Sequence, residues 1–518
     1  MKQIIAQNKT QKSSQQGFFN NYSDVLLASI IFVFALCVRG VLIAGKTFPL
    51  GDGGMFYSII QYLLNHNFAI PHFLPYNEFR EIPFSYPPLA FYLTAFFVKI
   101  TTIDITQWLL WLPIIFSSAN AVALYVLARN LDLKKSGALL ATLIMTLNPF
   151  MLAWHSMGGG ITRALGLLFC LLACSFYVTG VKNNRKKLLL LSAVLGGLTI
   201  LTHLEAGTLF FLLVTAYTIA SRKYFLRLWG IIVGTLVVVM PWVFIILLRH
   251  GIAPFLSAFS SNIGFPGAEG NIVSVIMLLF YPTPIQIGFY FCISLILFRV
   301  WDKNLGWLLG SSVAMIFLLP RSFPSLSMVT FGLLFATIFE KYSEQGKFPE
   351  SPRVIKLLLP ILLIPLVFTT LVTTIDSQKL ETLTPQQQKV ISFVQKSFSN
   401  QCAILVLDSQ NMWTYDYLAE WLPALTPCSS PLTIQGTEWK QGLLQAMYQL
   451  RLQVASCSTV ECVEKQTSLS SVDFSHILVE KTDASSSNFI LLAKDLEQNS
   501  LYSKAFDESG WELWEKKI

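Results

Sequence analysis

The sequence predicts a mainly α, polytopic membrane helix bundle followed by a small water-soluble α/β domain. Of 518 residues, 53% are hydrophobic and only 13% charged, with 40 Phe. The mean hydropathy is +0.57, whereas a soluble domain carries roughly 25% charged residues. Apolar runs long enough to cross about 30 Å of hydrocarbon recur up to residue 376 and then stop. The net charge of +8 comes mostly from Lys and Arg in short loops between these runs. That placement marks membrane topology rather than a nucleic-acid partner.

In order, the runs are 24–45, 105–128, 136–154, 160–181, 188–203, 204–220, 228–248, 271–298, 304–320, 324–340 and 354–375. A weaker run, 88–104, contains Lys99. The nearly fused pair 188–203 and 204–220 divides at Thr202-His203-Leu204-Glu205, because a charge is tolerated at a helix end and costly at mid-membrane. With the N-terminus in the cytoplasm and 88–104 in the interface, 19 Lys and Arg fall inside against six outside, Arg39 and the C-terminal domain apart. A full crossing by 88–104 would move those basic loops outside. The expectation is therefore eleven spans plus interfacial helices. Residues 1–23 read as a cytoplasmic tail, 24–376 as the transmembrane domain with a first outer loop at 46–104, and 377–518 as an extracytoplasmic domain. The first run has no small-residue cleavage site before a soluble chain and reads as a retained anchor.

Four of the eight cysteines (Cys37, Cys170, Cys174, Cys292) lie in apolar runs, and the other four (Cys402, Cys428, Cys457, Cys462) in the soluble domain. The latter suit two disulfides in an oxidising compartment. Cys402 with Cys428 and Cys457 with Cys462 is the simplest pairing of the three possible. The soluble domain reads as helix 385–398, strand 403–407, a turn-rich patch 408–427, helix 443–452, and strands 474–479 and 511–514. No Gly-rich nucleotide loop, P-loop, zinc signature or nucleophile elbow occurs, which disfavours a nucleotide-sugar-dependent transferase.

The first outer loop opens Phe48-Pro49-Leu50-Gly51-Asp52-Gly53-Gly54, ahead of a helical run to Leu64. Three glycines around an acid let backbone and ligand approach closely at a membrane exit. Capping of that helix is the plainer role for Asp52. Glu78 and Glu81 follow in the same loop, then Phe84-Ser85-Tyr86-Pro87-Pro88-Leu89 leads into the interfacial run. Loops of this length in a compact protein are usually functional. An outer acid, further acids about thirty residues on and a Pro-Pro-Leu motif resemble the GT-C superfamily of membrane glycosyltransferases. The nearest are the family 39-type and aminoarabinose-transferase-like members, among bacterial proteins with an outer C-terminal domain. Ala128-Arg129-Asn130-Leu131 and Leu147-Asn148-Pro149-Phe150 continue the likeness.

The resemblance implies an inverting transferase that moves a sugar from a polyprenyl-phosphate donor to a glycan, lipid or protein acceptor. The setting it implies is the bacterial plasma membrane, among membrane lipids and without nucleic acid. Asp52 would then be the catalytic base or a ligand of a divalent cation such as Mg2+ or Mn2+. Such transfer needs a carboxylate to take the acceptor proton and positive charge to stabilise the departing phosphate. Arg321, in the hairpin Pro320-Arg321-Ser322-Phe323-Pro324, suits the second role; otherwise it snorkels to headgroups. Many members carry a second acidic motif where this chain has Trp154-His155-Ser156-Met157-Gly158-Gly159-Gly160-Ile161-Thr162-Arg163. There His155 and Arg163 either contact phosphate or sugar, or flank a flexible turn. His203 and Glu205, between two apolar runs, are functional candidates by position and join Asp52 as a candidate metal set; the alternative is a satisfied polar pair at a helix turn. Glu78 and Glu81 stand as further substrate contacts. In the soluble domain, 415–426 and 433–439 resemble a stretch of uncharacterised bacterial relatives, with Trp, Tyr and acids suited either to a sugar or to ordinary core packing.

Two other readings compete: a transporter or flippase of lipid-linked sugars, and a non-catalytic GT-C scaffold that binds glycan. A transporter calls for ionisable groups at mid-membrane and a repeat between halves, whereas the candidates here gather at one face. The topology is directly testable. Cysteines introduced at Asn183 or Asn184 should react with impermeant reagents only from the cytoplasmic side, and labelling from outside would invert the whole scheme.

Overall fold

A computed structural model describes residues 22–77, 80–263, 303–319, 321–344, 383–399, 402–408, 416–481, 487–508 and 510–517. The runs expected at 271–298 and 354–375, together with Glu78, lie outside the described residues. The first helices are α1 (Tyr22–Ile43), α2 (Gly54–Asn65), α3 (Leu89–Thr101) and α4 (Ile105–Asn130). They are followed by α5 (Lys135–Thr146), α6 (Pro149–Ser156), α7 (Gly160–Lys182), α8 (Lys186–Thr202), α9 (Leu204–Ser221), α10 (Phe225–His250) and α11 (Ala253–Ile263). Two more, α12 (Lys303–Leu318) and α13 (Phe323–Glu344), complete the described bundle. Among the described residues, five helices are long and apolar enough to cross a membrane, or six with one bent pair.

That bent pair corrects one expectation. The run at 136–154 is not a straight span but α5 and α6, bent by 61°. Pro149 cannot continue a helical hydrogen-bond ladder, and Asn148 restarts the helix by accepting the N–H of Met151 at 3.0 Å. The run at 188–220 breaks at His203, which ends α8 and caps α9, its Nδ1 accepting from the N–H of Ala206 at 3.3 Å. At 13 residues, α3 is about 20 Å long and too short to span upright. Around Tyr125, Leu171 and Phe210 a buried core joins α4, α7 and α9.

The soluble domain contains α14 (Pro385–Ser397), β1 (Cys402–Leu407), α15 (Tyr417–Leu425), β2 (Cys428–Ser429), α16 (Leu443–Ala455) and α17 (Val460–Leu469). Then come β3 (His476–Glu480), α18 (Ser487–Gln498), β4 (Tyr502–Glu508) and β5 (Trp511–Lys516). The sheet runs β2-β1-β3-β5-β4, parallel through β2, β1 and β3 and antiparallel beyond. Disulfides join Cys402 to Cys428 and Cys457 to Cys462, the first of them across the β1–β2 register. Where the sequence reads as turns at 408–427, the structure forms α15. Asp416 caps it by accepting the N–H of Ala419 at 3.0 Å. Arg451 then neutralises Asp416 and also Asp408, 3.3 Å away.

The first outer loop is locked to this domain. Arg80 donates to the carbonyl of Thr433 at 2.6 Å and to that of Pro431. Asn77 accepts the N–H of Ser430 at 3.0 Å, and Lys440 donates to the Arg80 carbonyl at 2.7 Å. One apolar core runs through both, with Met55, Ile59, Leu74 and Phe91 packed with Leu418, Trp421 and Trp439. Replacing Arg80 with Ala would leave two buried carbonyls without their donor. It should destabilise this junction by about 2–4 kcal/mol, read as a lower unfolding temperature and faster proteolysis of the first loop.

Candidate active site

The turn bearing Asp52 is shaped by glycine. Gly51 (φ +61°) and Gly53 (φ +149°) adopt backbone angles that side chains resist. Asp52 does not cap α2. Gly53 occupies that position without a side-chain bond from its own segment, and the Asp52 carboxylate points elsewhere. Its Oδ1 accepts the N–H of Gly159 at 3.0 Å, and one guanidinium nitrogen of Arg163 donates to Oδ1 at 3.0 Å and Oδ2 at 2.9 Å. The Gly158-Gly159-Gly160 turn is therefore no slack connector. The N–H of Gly158 donates to the Leu50 carbonyl at 2.8 Å and that of Gly159 to the Asp52 carbonyl at 3.1 Å. A Cβ on Gly158 would stand 2.3 Å from the Asp52 carbonyl, and one on Gly159 2.5 Å from Asp52 Oδ2.

Arg163 is in turn held by Trp154, its guanidinium 3.9 Å from the ring centre, and Arg321 approaches the same ring at 5.7 Å. Arg321 is exposed, and no acidic group among the described residues forms an ion pair with it. His155, next to Trp154, is buried with its Nδ1 unpartnered. The Nε2 of His203 lies 3.8 Å from Glu205, whose carboxylate also accepts the hydroxyl of Ser322. Glu205 thus ties the start of α9 to the hairpin carrying Arg321. Asp52, His155, Arg163 and Arg321 gather around Trp154 and the glycine turn, with His203 and Glu205 bracing them. Glu81 does not join them; it stands exposed in the loop docked on the soluble domain. Among the described residues no three His, Cys, Asp or Glu form an ion-holding group. The candidate metal set Asp52, His203 and Glu205 is thus not assembled, and Arg163 occupies both oxygens of Asp52.

A second carboxyl comes from the soluble domain, from the 415–426 stretch that the sequence reads as suited to a sugar or to core packing and not as a partner of the Asp52 turn. Oε1 of Glu420 accepts the N–H groups of Gly53 at 2.9 Å and Gly54 at 3.0 Å, and its Oε2 accepts from Gln435 at 3.1 Å. It is only 2% exposed and sits at the positive end of α2. Beside it, the Trp421 indole donates to the Gly51 carbonyl at 3.4 Å, and the hydroxyl of Tyr76 donates to the Glu420 carbonyl at 2.7 Å. Burial, and then the charge of Asp52, push the Glu420 carboxyl up to about 8, while the glycine N–H donors pull it down. The available signal was the pairing of an acid with Trp421 in one segment, and a helix start at Gly54 with no acceptor of its own.

The family model for dolichyl-phosphate-mannose-protein mannosyltransferases matches residues 85–246, under half of the chain. Similar solved folds extend over nearly all of it. The archaeal oligosaccharyltransferase AglB from Archaeoglobus fulgidus, in complex with an inhibitory peptide and a dolichol-phosphate, superposes with a TM-score of 0.57 at 12% identity, covering 89% of this chain and 70% of that one. ArnT from Cupriavidus metallidurans, bound to undecaprenyl phosphate, gives 0.56 at 11% identity, covering 95% of this chain and 96% of that one. This chain thus shares the fold of these GT-C structures. The mycobacterial arabinofuranosyltransferase AftD, another GT-C structure, gives 0.58 at 12% identity, with this chain spanning 40% of its length. The Archaeoglobus enzyme also has a crystal structure in complex with Zn and sulfate. No curated protein matches the chain. Five described helices long and apolar enough to cross a membrane mark an integral membrane protein, and residues 85–246 of the family match carry His155, Arg163, His203 and Glu205 but neither Asp52 nor Arg321.

The raised carboxyl of Glu420 has a definite pH signature. Between its ordinary value of 4.5 and about 8, the folded chain holds a proton that the unfolded chain has released. Its contribution to stability is complete below 4.5 and falls as pH rises to about 8. Thermal unfolding of the detergent-solubilised protein should show the wild type losing more stability than Glu420→Gln across that window, and parallel curves would refute the assignment.

Proposed function

We propose that this GT-C protein is an inverting glycosyltransferase that moves a sugar from a polyprenyl-phosphate-linked donor to an extracytoplasmic acceptor. One observation carries the reading: a carboxylate and an exposed guanidinium that no described carboxylate pairs with are held at the same glycine- and tryptophan-walled site. The polyprenyl phosphates bound by ArnT and by the archaeal enzyme support the donor class.

In this reading the acceptor hydroxyl attacks the anomeric carbon while Asp52 takes its proton. The bond from that carbon to the phosphate oxygen breaks, and polyprenyl phosphate leaves with the electron pair. Arg321 meets the charge growing on that phosphate. Arg163 and the N–H of Gly159 aim the Asp52 carboxylate, which is 31% exposed. A carboxylate offers about four acceptor positions, so these bonds leave room for the incoming hydroxyl. Glu205 holds the Arg321 hairpin in register, and His155 and Arg163 line the side towards the sugar. A divalent cation at Asp52 would have to displace Arg163.

Asp52→Asn keeps the size of the side chain and its acceptor for Arg163 but cannot take the proton. It should lower transfer by at least about 100-fold while expression and membrane insertion stay normal. The measurement is appearance of the missing glycan when the variant is returned to a strain lacking the protein. Full restoration by the variant would dismiss Asp52 as the base.

A further inference from the structure

The Asp52 turn has little of its own to hold it in place. Two of its glycines sit at positive φ, where an unconstrained chain has many alternatives. The helix that follows begins with N–H groups that no neighbouring side chain accepts. The acceptor comes from 366 and 367 residues away, on α15. A buried carboxyl is costly, and the docking of the two domains does not require it. Arg80, Asn77, Lys440 and the shared apolar core already join them. What Glu420 adds is a grip on the backbone immediately after Asp52.

We infer that Glu420 is the positioning residue for Asp52, fixing the turn through the N–H groups of Gly53 and Gly54, so that the soluble domain is a working part of the site. The inference rests on the reading of Asp52 as the base. Packing agrees with it. A Cβ on Gly54 would lie 2.6 Å from the Glu420 carbonyl, and one on Gly53 3.1 Å from the Trp421 ring. The turn is thus pressed onto α15 from one side and onto the Gly158–Gly160 turn from the other. Losing the Glu420 acceptor frees the N–H groups of Gly53 and Gly54 and leaves the Trp421 bond to Gly51 as the hydrogen bond from α15 to the turn.

The test uses the full chain in membranes of a host lacking the native protein, supplied with lipid-linked sugars extracted from the native strain. Binding of undecaprenyl phosphate to the purified protein is measured in parallel. Glu420→Ala should lower transfer about 100-fold, as a misplacement near 1 Å does, with undecaprenyl phosphate binding changed by less than about twofold. Glu420→Gln keeps a carbonyl acceptor for both N–H groups, as the protonated Glu420 carboxyl does, and should restore transfer to within about tenfold of wild type. If Asp52→Asn is inactive while Glu420→Ala transfers normally, the positioning role is wrong and the base stands. If Asp52→Asn transfers normally, the base itself is wrong, and the positioning role falls with it. If Glu420→Ala loses binding and transfer together and Glu420→Gln restores neither, the carboxylate serves only to hold the fold, and the inference is overturned.

Discussion

Two glycine turns more than a hundred residues apart meet backbone to backbone, and the site is built on that contact. At Gly158 and Gly159 there is no space for a side chain: hypothetical Cβ atoms there fall within 2.5 Å of Asp52. The contact sets the distance from Asp52 to Arg163, since Arg163 is one helical turn beyond the second glycine turn.

Charge is managed around this contact by sharing rather than by isolated pairs. Arg163 serves Asp52 and stacks on Trp154, which leaves Arg321 on the same ring without a carboxylate among the described residues. Glu205 braces the hairpin through Ser322 and stands beside His203. Where these contacts are buried, as at Arg163, each is stronger than it would be in solution. A guanidinium left available in such a place favours an arriving anion.

Much of the fold was legible because membrane burial writes itself into composition. The apolar runs that the described helices match, the break at His203 and the α/β character of the C-terminal residues follow from the cost of placing charge or open backbone in hydrocarbon. The bend at Asn148-Pro149 was written in the sequence but read as a continuous run, since hydropathy is blind to direction. Of the site, Asp52, Arg163 and Arg321 stand out by type and position. The purpose of Gly158-Gly159-Gly160 does not, because a close approach is a property of two segments and the sequence displays one at a time. The same holds for Glu420. Its segment reads as turns, becomes a helix only through the Asp416 cap and its pairing with Arg451, and acquires a role only when set against Gly53 and Gly54.

The separation of 366 and 367 residues between Glu420 and the N–H groups it accepts also orders events in time. A chain emerging from the ribosome places its early helices first, and the Asp52 turn must then wait through nearly the whole of synthesis for its anchor. The bundle can be inserted and packed long before the site is set. Products truncated anywhere ahead of α15 would lack the acceptor for the Gly53 and Gly54 N–H groups, however well their helices had packed.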